Sequence, residues 1–388
     1  MLKDIHPELE NLSQKGQVKR FDISSLSTPG FVNLRGKSLV DFTNWDFANL
    51  NFSPLFRRAA HSEVEQGGFG VRASRIISGT THSHIACEER IASFLHTKSA
   101  LLFSSRSQVV ISLIAAIACE QDTIFVDEMM QGPVVDAAFL VGAKTAFFNG
   151  ADVDSLGVAL EKYRGSAGNY VFVESFSLVR GANIELVPLI KIASSMGAEV
   201  FVDESYSLGL HGARGAGSIE KMSGELLPYA KYGDLSLALC GWGGFLAGPA
   251  PLTTWLLQRS RTVGQESALP SPICAAVHKA LDLLELDSAA REKAAFMADK
   301  LRAGLKAMGI RSVPMVKSPI VVLPTDKFSK ASKICQLLES KGFLAASLPI
   351  LRVRDESGVV QFIINCEHKA EQIEDLLSAL SEILPKLS

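Results

Sequence analysis

Short apolar segments bounded by turn residues recur through the first two thirds of the chain. Three of them end in a carboxylate, at Asp127, Glu174 and Asp203. Continuous apolar runs of this length are typical of parallel strands that are covered on both faces. A helical pattern at Leu186–Met196 separates the second strand from the third, and Gly197 is placed to end that helix. The alternation predicts an α/β domain with a mostly parallel central sheet.

The last third of the chain has a different order of elements. A long helical stretch, Ile273–Met308, precedes a β-α-β-β-α pattern. The elements of that pattern are Ile320–Leu323, Ser329–Lys341, Leu344–Ser347, Val359–Asn365 and Lys369–Leu384. We therefore predict an N-terminal arm at 1–38, a large domain at 39–275, and a linking helix with a small α+β domain at 276–388.

Composition narrows the class of protein. The chain has 388 residues, of which 47% are apolar and 21% charged, and its net charge of −2 gives no electrostatic case for binding nucleic acid or an anionic membrane. Its longest apolar run, Val109–Cys119, is too short to span a bilayer, and its polar N-terminus does not resemble a signal peptide. The six cysteines are scattered, which favours buried thiols in a reducing cytoplasm and no metal site.

Two segments carry candidate chemistry. Asp203 ends an apolar strand, and ligands of open α/β sheets bind at the carboxyl ends of such strands. A glycine-rich segment at 67–90 reads GGFGVRASRIISGTTHSHIACEER. Taken alone, a glycine-rich loop before a helix is either a simple turn or a binding loop.

Together these segments resemble the α-oxoamine synthases, which are pyridoxal-phosphate enzymes that condense an acyl-CoA with an amino acid and release CO2. The family pattern Gly-Ser-Gly-Gly-Ser-Arg-x-x-Ser-Gly-x-x-x-x-His-x-x-Leu-Glu is matched in register by Arg75, Ser78, Gly79, His84 and Glu88. The resemblance runs from about residue 38 to the end and implies the fold-type I, aspartate-aminotransferase-like fold. It also implies that this loop lies at a dimer interface beside both active sites, so Arg75 and His84 become candidate substrate or interface residues.

The resemblance implies a pyridoxal-phosphate site around Asp203, whose family counterpart pairs with the pyridinium nitrogen. Tyr206 stands where the family has a histidine that contacts the cofactor's phenolic oxygen, and it either makes that bond or packs as an aromatic side chain. Gln131 replaces a histidine that stacks on the ring, and an amide cannot replace imidazole in acid–base work. Trp45 replaces an asparagine near the substrate, which favours packing over substrate binding.

The phosphate-binding turn is also altered. The family has Ser-Gly-Phe, whose backbone N–H groups contact the phosphate at a helix N-terminus. This chain has Ser105, Arg106 and Ser107. Arg106 either binds a phosphate directly or occupies the space that the phosphate needs, and we favour occlusion or another anion because arginine does not allow the close backbone approach that glycine does.

The Schiff-base lysine is missing. Asp234–Cys240 matches the family's incoming strand and Gly243–Gly248 its outgoing glycines, but about four residues between them, including the lysine, are deleted between Cys240 and Gly243. Arg180 stands where the family has an aspartate, and Leu178 stands where it has a serine. Several changes therefore fall on one predicted pocket.

These changes favour a catalytically degenerate homologue that acts as a partner or binding subunit, either as a homodimer or with a lysine-bearing paralogue. Within the family, the strand end at Asp203 and the glycines at 243–248 are similar to those of the lysine-less, non-catalytic subunit of serine palmitoyltransferase. One alternative is an active acyltransferase that uses noncovalent pyridoxal phosphate or a substitute lysine such as Lys231. Another is a module that binds a small anion or metabolite through Arg106.

Overall fold

A computed structural model describes residues 5–14, 21–130, 132–222, 226–312, 318–350 and 357–387. Helices are α1 (His6–Gln14), α2 (Pro54–Gly67), α3 (His82–Phe94), α4 (Arg106–Ile117), α5 (Pro133–Leu140), α6 (Val153–Lys162), α7 (Leu186–Ser195), α8 (Ala250–Arg259), α9 (Arg261–Gln265), α10 (Ser271–Leu286), α11 (Ala289–Ala307), α12 (Phe328–Ser340) and α13 (Ala370–Ile383). Strands are β1 (Ser24–Thr28), β2 (Phe31–Leu34), β3 (Lys37–Asp41), β4 (Ser99–Phe103), β5 (Thr123–Asp127), β6 (Lys144–Phe148), β7 (Asn169–Glu174), β8 (Phe176–Ser177), β9 (Ala182–Asn183), β10 (Glu199–Asp203), β11 (Ala230–Asp234), β12 (Gly244–Gly248), β13 (Ile320–Thr325), β14 (Phe343–Leu344), β15 (Ala346–Pro349) and β16 (Gly358–Ile363).

The central sheet has seven strands in the order β4-β12-β11-β10-β7-β5-β6. Strand β12 is antiparallel to both of its neighbours, and the remaining pairs are parallel. This arrangement confirms the predicted mostly parallel sheet. The apolar runs become strands because both faces of the sheet are covered: Phe201 and its facing residues pack with α4, α5 and α8, and Val202 and its facing residues pack with α6 and α7.

The small C-terminal layer contains an antiparallel sheet in the order β13-β16-β15, which packs with α11, α12 and α13. The predicted β-α-β-β-α order is found except that two short strands, β14 and β15, stand where one strand was predicted at Leu344–Ser347. Strands β1, β2 and β3 form a separate sheet, and β3 pairs with β14 of the C-terminal layer. The N-terminal segment therefore contacts the end of the chain, and the division into three parts remains a prediction.

Two predicted elements differ in the structure. The stretch 273–308 is not one helix, because α10 ends at Leu286 and α11 begins at Ala289, with Asp287 in an extended conformation between them. The incoming strand predicted at 234–240 is also wrong, since β11 ends at Asp234 and the following residues form a turn. No helix within the described ranges has the length and hydropathy needed to cross a bilayer.

Candidate active site

Asp203 lies at the carboxyl end of β10, in the middle of the central sheet. Its backbone is in register with Glu174 on one side and Tyr232 on the other, and the residue is 1% exposed. Its Oδ1 atom accepts a hydrogen bond of 2.9 Å from the backbone N–H of Ser205. Its Oδ2 atom is buried and accepts no well-aligned hydrogen bond from any described residue. The carboxylate is thus fixed through one oxygen and directs the other into the site.

The cation beside Asp203 is supplied by the chain itself. Helix α4 begins at Arg106, and the Ser105 side chain starts it by accepting a hydrogen bond from the backbone N–H of Gln108. From this position the Nε atom of Arg106 lies 2.7 Å from Oδ2 of Asp203. Burial opposes the charge of Arg106, but Asp203 together with Tyr206, Tyr232 and Glu174 outweighs that effect, so the pKa of the guanidinium is raised. Arg106 is therefore a permanently charged partner of Asp203.

Two aromatic residues line the other side of Arg106. Its guanidinium carbon lies 5.5 Å from the centre of the Tyr206 ring, within the range of a cation–π contact, and its Nη1 atom lies 3.4 Å from the Tyr206 hydroxyl. The Tyr206 ring in turn packs on Trp45, with ring centres 5.5 Å apart. Burial raises the pKa of Tyr206, so its hydroxyl stays protonated. Trp45, Tyr206 and Arg106 together fill the space next to Asp203.

A second arginine pairs with a second buried carboxylate. Arg180 donates from Nη1 and Nη2 to the two oxygens of Asp127, at 2.7 and 2.9 Å, and Nη2 also donates to Oδ1 of Asn149 at 2.9 Å. Glu174 lies near both pairs, with its Oε1 atom 3.9 Å from Nη2 of Arg106. Burial raises the pKa of Glu174 to about 8, against the opposing influence of Arg106. The two arginines therefore face the carboxyl groups of Asp127 and Asp203 and a Glu174 whose raised pKa favours its protonated form at neutral pH.

The turn between β11 and β12 contains no lysine. It runs from Leu235 to Gly243, and it is closed by hydrogen bonds from Leu235 N–H to the Gly243 carbonyl and from Gly241 N–H to the Leu235 carbonyl. Gly243 has φ of +105°, and a Cβ there would lie 2.5 Å from the carbonyl oxygen of Phe103. The Trp242 side chain is 60% exposed. The turn is short and closely packed, and its one aromatic side chain, Trp242, faces solvent.

Lys231 does not replace the missing lysine. In β11 it is in register with Val202, whereas Tyr232 is in register with Asp203, so Lys231 lies on the opposite face of the sheet from the Asp203 side chain. Its Nζ atom donates 2.8 Å to the carbonyl oxygen of Leu95. Burial lowers its pKa. The geometry therefore argues against Lys231 as a substitute Schiff-base residue.

The glycine-rich loop is held by contacts within the chain. Arg75 forms a two-point ion pair with Glu88, with N–O distances of 2.7 and 3.0 Å. The His84 ring contacts the carbonyl oxygen of Leu269 through Nε2 at 2.8 Å, and burial lowers the pKa of His84. These contacts position Arg75 and His84 without any ligand. Ser107 lies in the first turn of α4, and Gln131 lies outside the described residues.

A comparison with protein-family models identifies the family. Residues 41–380 match the model described as aminotransferase class I and II. The chain belongs to this family. Among curated relatives, the 8-amino-7-oxononanoate synthase of Methylococcus capsulatus is 29% identical over 356 residues, covering 92% of each chain. That of Anaeromyxobacter dehalogenans is 28% identical over 385 residues, covering 99% of this chain and 96% of the relative.

Solved structures agree with the class I and II aminotransferase assignment at the level of the fold. Serine palmitoyltransferase from Sphingomonas wittichii superposes with a TM-score of 0.91 at 22% identity, covering 100% of this chain and 98% of that one. A serine palmitoyltransferase structure described as containing a pyridoxal-phosphate internal aldimine has the same TM-score and identity, covering 100% and 99%. These neighbours confirm the fold-type I architecture. The family match and the curated synthases confirm the α-oxoamine synthase resemblance, and the family is dependent on pyridoxal phosphate.

The described residues of this family member do not fit pyridoxal phosphate in the manner that the resemblance implies. A pyridinium nitrogen would need an oxygen of Asp203, but one oxygen accepts the Ser205 N–H and the other lies against Arg106. The covalent anchor is absent from the turn at 235–243. Two buried polar atoms, Oδ2 of Asp203 and the hydroxyl of Tyr232, have no hydrogen-bond partner in the described part of the chain. Such orphaned atoms are typical of a site built around a different partner.

Reasoning from sequence placed Asp203, Tyr206, Trp45 and Arg106 in one pocket, and the structure brings them together. It left Arg106 either as a phosphate ligand or, as we favoured, as a residue that occludes the phosphate or binds another anion, and in the structure the side chain pairs with Asp203. It did not foresee the pair between Arg180 and Asp127. The available signal was an arginine standing where the family has an acid, while the nearby strand-end acids were retained.

Proposed function

We propose that this chain is a non-catalytic member of the α-oxoamine synthases that acts as a partner subunit of a lysine-bearing relative. The observation that carries the proposal is the closed turn at 235–243, which has no lysine and directs Trp242 outward. A Schiff-base lysine supplies both the covalent anchor and a proton-transfer group, and no neighbouring residue replaces it. A cytoplasmic location remains part of this proposal.

A partner surface is supported by the glycine-rich loop and its flanks. Exposed apolar side chains are concentrated there: Phe69 is 72% exposed, Ile76 56% and Ile77 76%, and Ile85 follows at 42%. Large exposed apolar patches mark interaction sites on soluble proteins, and these four exposed side chains lie within 17 positions of one another in the sequence. The internal ion pair of Arg75 with Glu88 keeps the loop in shape while its apolar side chains face outward.

The alternatives have less support. An enzyme with noncovalent pyridoxal phosphate would need Asp203 to be released from Arg106. An enzyme with Lys231 as its anchor would need that side chain to cross the sheet. A small-anion site at Arg106 would compete with the carboxylate that lies 2.7 Å away.

The experiment is a reconstitution. The pure chain, supplied with pyridoxal phosphate, acyl-CoA thioesters and a panel of amino acids, is expected to release no CoA thiol. Co-expression with a lysine-bearing α-oxoamine synthase from the same genome is expected to yield a complex with higher activity or stability than that synthase alone. Ile77→Asp places a charge on the exposed apolar surface and should weaken the complex, whereas Val158→Asp, at a residue 71% exposed on α6, should not. Condensation by the pure chain would refute the proposal.

A further inference from the structure

We propose that Arg106 is a cation attached to the chain, and that it occupies the position next to Asp203 where the ring nitrogen of the cofactor would otherwise lie. This one side chain then determines which ligand the pocket accepts. When Arg106 is trimmed, the pocket should accept a small planar cation such as an alkylguanidinium or a pyridinium. This inference goes beyond the partner-subunit proposal and does not depend on it.

The first support is position. Arg106 begins α4, the helix whose N-terminus faces the start of β12. Gly244 opens β12 at this point, and a Cβ on it would lie 2.7 Å from the backbone nitrogen of Arg106. Without a side chain at Gly244, the backbone of Arg106 approaches the sheet closely. The guanidinium therefore reaches Asp203 across a short distance and in a defined place.

The second support is the surroundings of the guanidinium. It has a buried carboxylate at 2.7 Å, a second carboxyl group at 3.9 Å and an aromatic face at 5.5 Å. An acid at the edge of a planar cation and an aromatic ring over its face are the features that recognise guanidinium and pyridinium groups alike. The pocket is thus a site for a planar cation, and its ligand is covalently part of the chain.

The third support is the imperfect alignment of the Arg106 guanidinium with the Asp203 carboxylate. Oδ2 of Asp203 lies within ion-pair distance of Arg106 but accepts no well-aligned hydrogen bond, and the buried Tyr232 hydroxyl also has no described partner. A tethered side chain is limited by its attachment to α4 in the angles that it can reach. A free cation has no such limit, so a trimmed pocket should bind one with better geometry.

The experiment compares Arg106→Gly with the wild-type chain by two readouts. Methylguanidinium at millimolar concentration should raise the thermal midpoint of Arg106→Gly and leave that of the wild type unchanged. Pyridoxamine phosphate, which has the pyridinium ring but no aldehyde to react with surface lysines, should bind Arg106→Gly at least about tenfold more tightly than wild type. Neither readout depends on enzymatic activity or on a partner chain.

The matched control is Arg90→Gly. Arg90 is similarly enclosed, with a side chain 14% exposed against 23% for Arg106, and it also forms ion pairs, with Asp282 and Glu285. Removing the Arg90 side chain should lower the thermal midpoint of the protein, but the variant should respond to neither methylguanidinium nor pyridoxamine phosphate. Equal responses in both variants would mean that the ligands act nonspecifically and would overturn the proposal.

Two further outcomes are decisive. Wild-type protein that binds pyridoxamine phosphate as tightly as Arg106→Gly would overturn the proposal, as would a folded Arg106→Gly that responds to neither ligand. If Arg106→Gly does not fold, Arg106→Lys and Arg106→Met replace it. The proposal then requires the cationic lysine variant to keep a higher thermal midpoint than the methionine variant, and equal midpoints would refute it.

Discussion

Replacing Arg180 by methionine should destabilise the protein strongly. Methionine keeps most of the length of the side chain but removes both N–H groups that contact Asp127 at 2.7 and 2.9 Å. Asp127 is 0% exposed, and Arg180 has a side chain 13% exposed. The variant therefore leaves a buried carboxylate whose remaining hydrogen bonds from described residues come from the backbone N–H groups of Met129 and Gly150, both at 3.2 Å.

The expected magnitude follows from this burial. Removing one partner of a buried ion pair typically costs about 3–5 kcal/mol, because the other charge remains buried and uncompensated. The double variant Arg180→Met with Asp127→Asn should cost less than the sum of its single changes, because no unpaired charge remains. The matched control is Arg164→Met, whose pair with Glu161 has side chains 76% and 57% exposed. An exposed pair of that kind contributes only about 0–1 kcal/mol.

The assay is thermal unfolding followed by circular dichroism, supported by urea titration. In a chain of this size about 1 kcal/mol corresponds to roughly 1.2 °C, so Arg180→Met should lower the midpoint by about 4–6 °C. Arg164→Met should change it by about 1 °C or less on the same scale. If the two variants differ by less than about 1 kcal/mol, or if the single changes at Arg180 and Asp127 simply add, Asp127 does not depend on Arg180 and the reasoning fails.

Three further predictions concern pH and the shortened turn. Burial raises the pKa of Glu174 from 4.5 to about 8, so the contribution of Glu174 to stability is full below pH 4.5 and is lost as the pH rises toward 8. Glu174→Gln should flatten the fall in thermal midpoint over that range, and an unchanged dependence of the midpoint on pH would contradict this. Burial lowers the pKa of His211 from 6.5 to about 4, so the contribution of His211 to stability is present above pH 6.5 and is lost as the pH falls toward 4. His211→Gln should therefore reduce the fall of the thermal midpoint in acid, and an equal fall would contradict the lowered pKa of His211. Trp242→Lys should fold because Trp242 is 60% exposed, yet peptide mapping after borohydride reduction with pyridoxal phosphate should find it labelled no more than a surface lysine, and selective labelling there would show that the turn still reaches the pocket.

The sequence was sufficient to predict most of the sheet, because most of the central strands are short apolar runs that end in a turn or a polar residue. It was less informative about where β11 ends. Residues 235–239 read LSLAL, an alternating pattern that is typical of a strand, and in the structure they form a turn that packs Leu235, Ala238 and Leu239 into the core. Burial, rather than strand pairing, selects their apolar side chains. Periodicity alone therefore does not show where β11 ends.

The sequence also did not predict which arginine pairs with which aspartate. Arg106 and Arg180 are far apart in the chain, and nothing local indicates that they reach Asp203 and Asp127. Gly150 illustrates the difficulty: a Cβ there would lie 2.4 Å from Oδ2 of Asp127. Its role is to leave room for a carboxylate more than twenty positions away, so it is understood only once the strands are placed side by side.

The two arginines explain how the pocket can hold its acids with no lysine in the turn at 235–243. Asp203 and Asp127 each accept hydrogen bonds from the backbone at a strand end, from Ser205 and from Met129 and Gly150, so replacing either acid would leave buried N–H groups unpaired. Leaving the acids without a cation would be equally unfavourable. A nearby arginine for each acid satisfies both conditions, and a protonated Glu174 keeps the charges balanced. The altered positions are thus physically coupled, and reversing one arginine alone should destabilise the fold before it restores any chemistry.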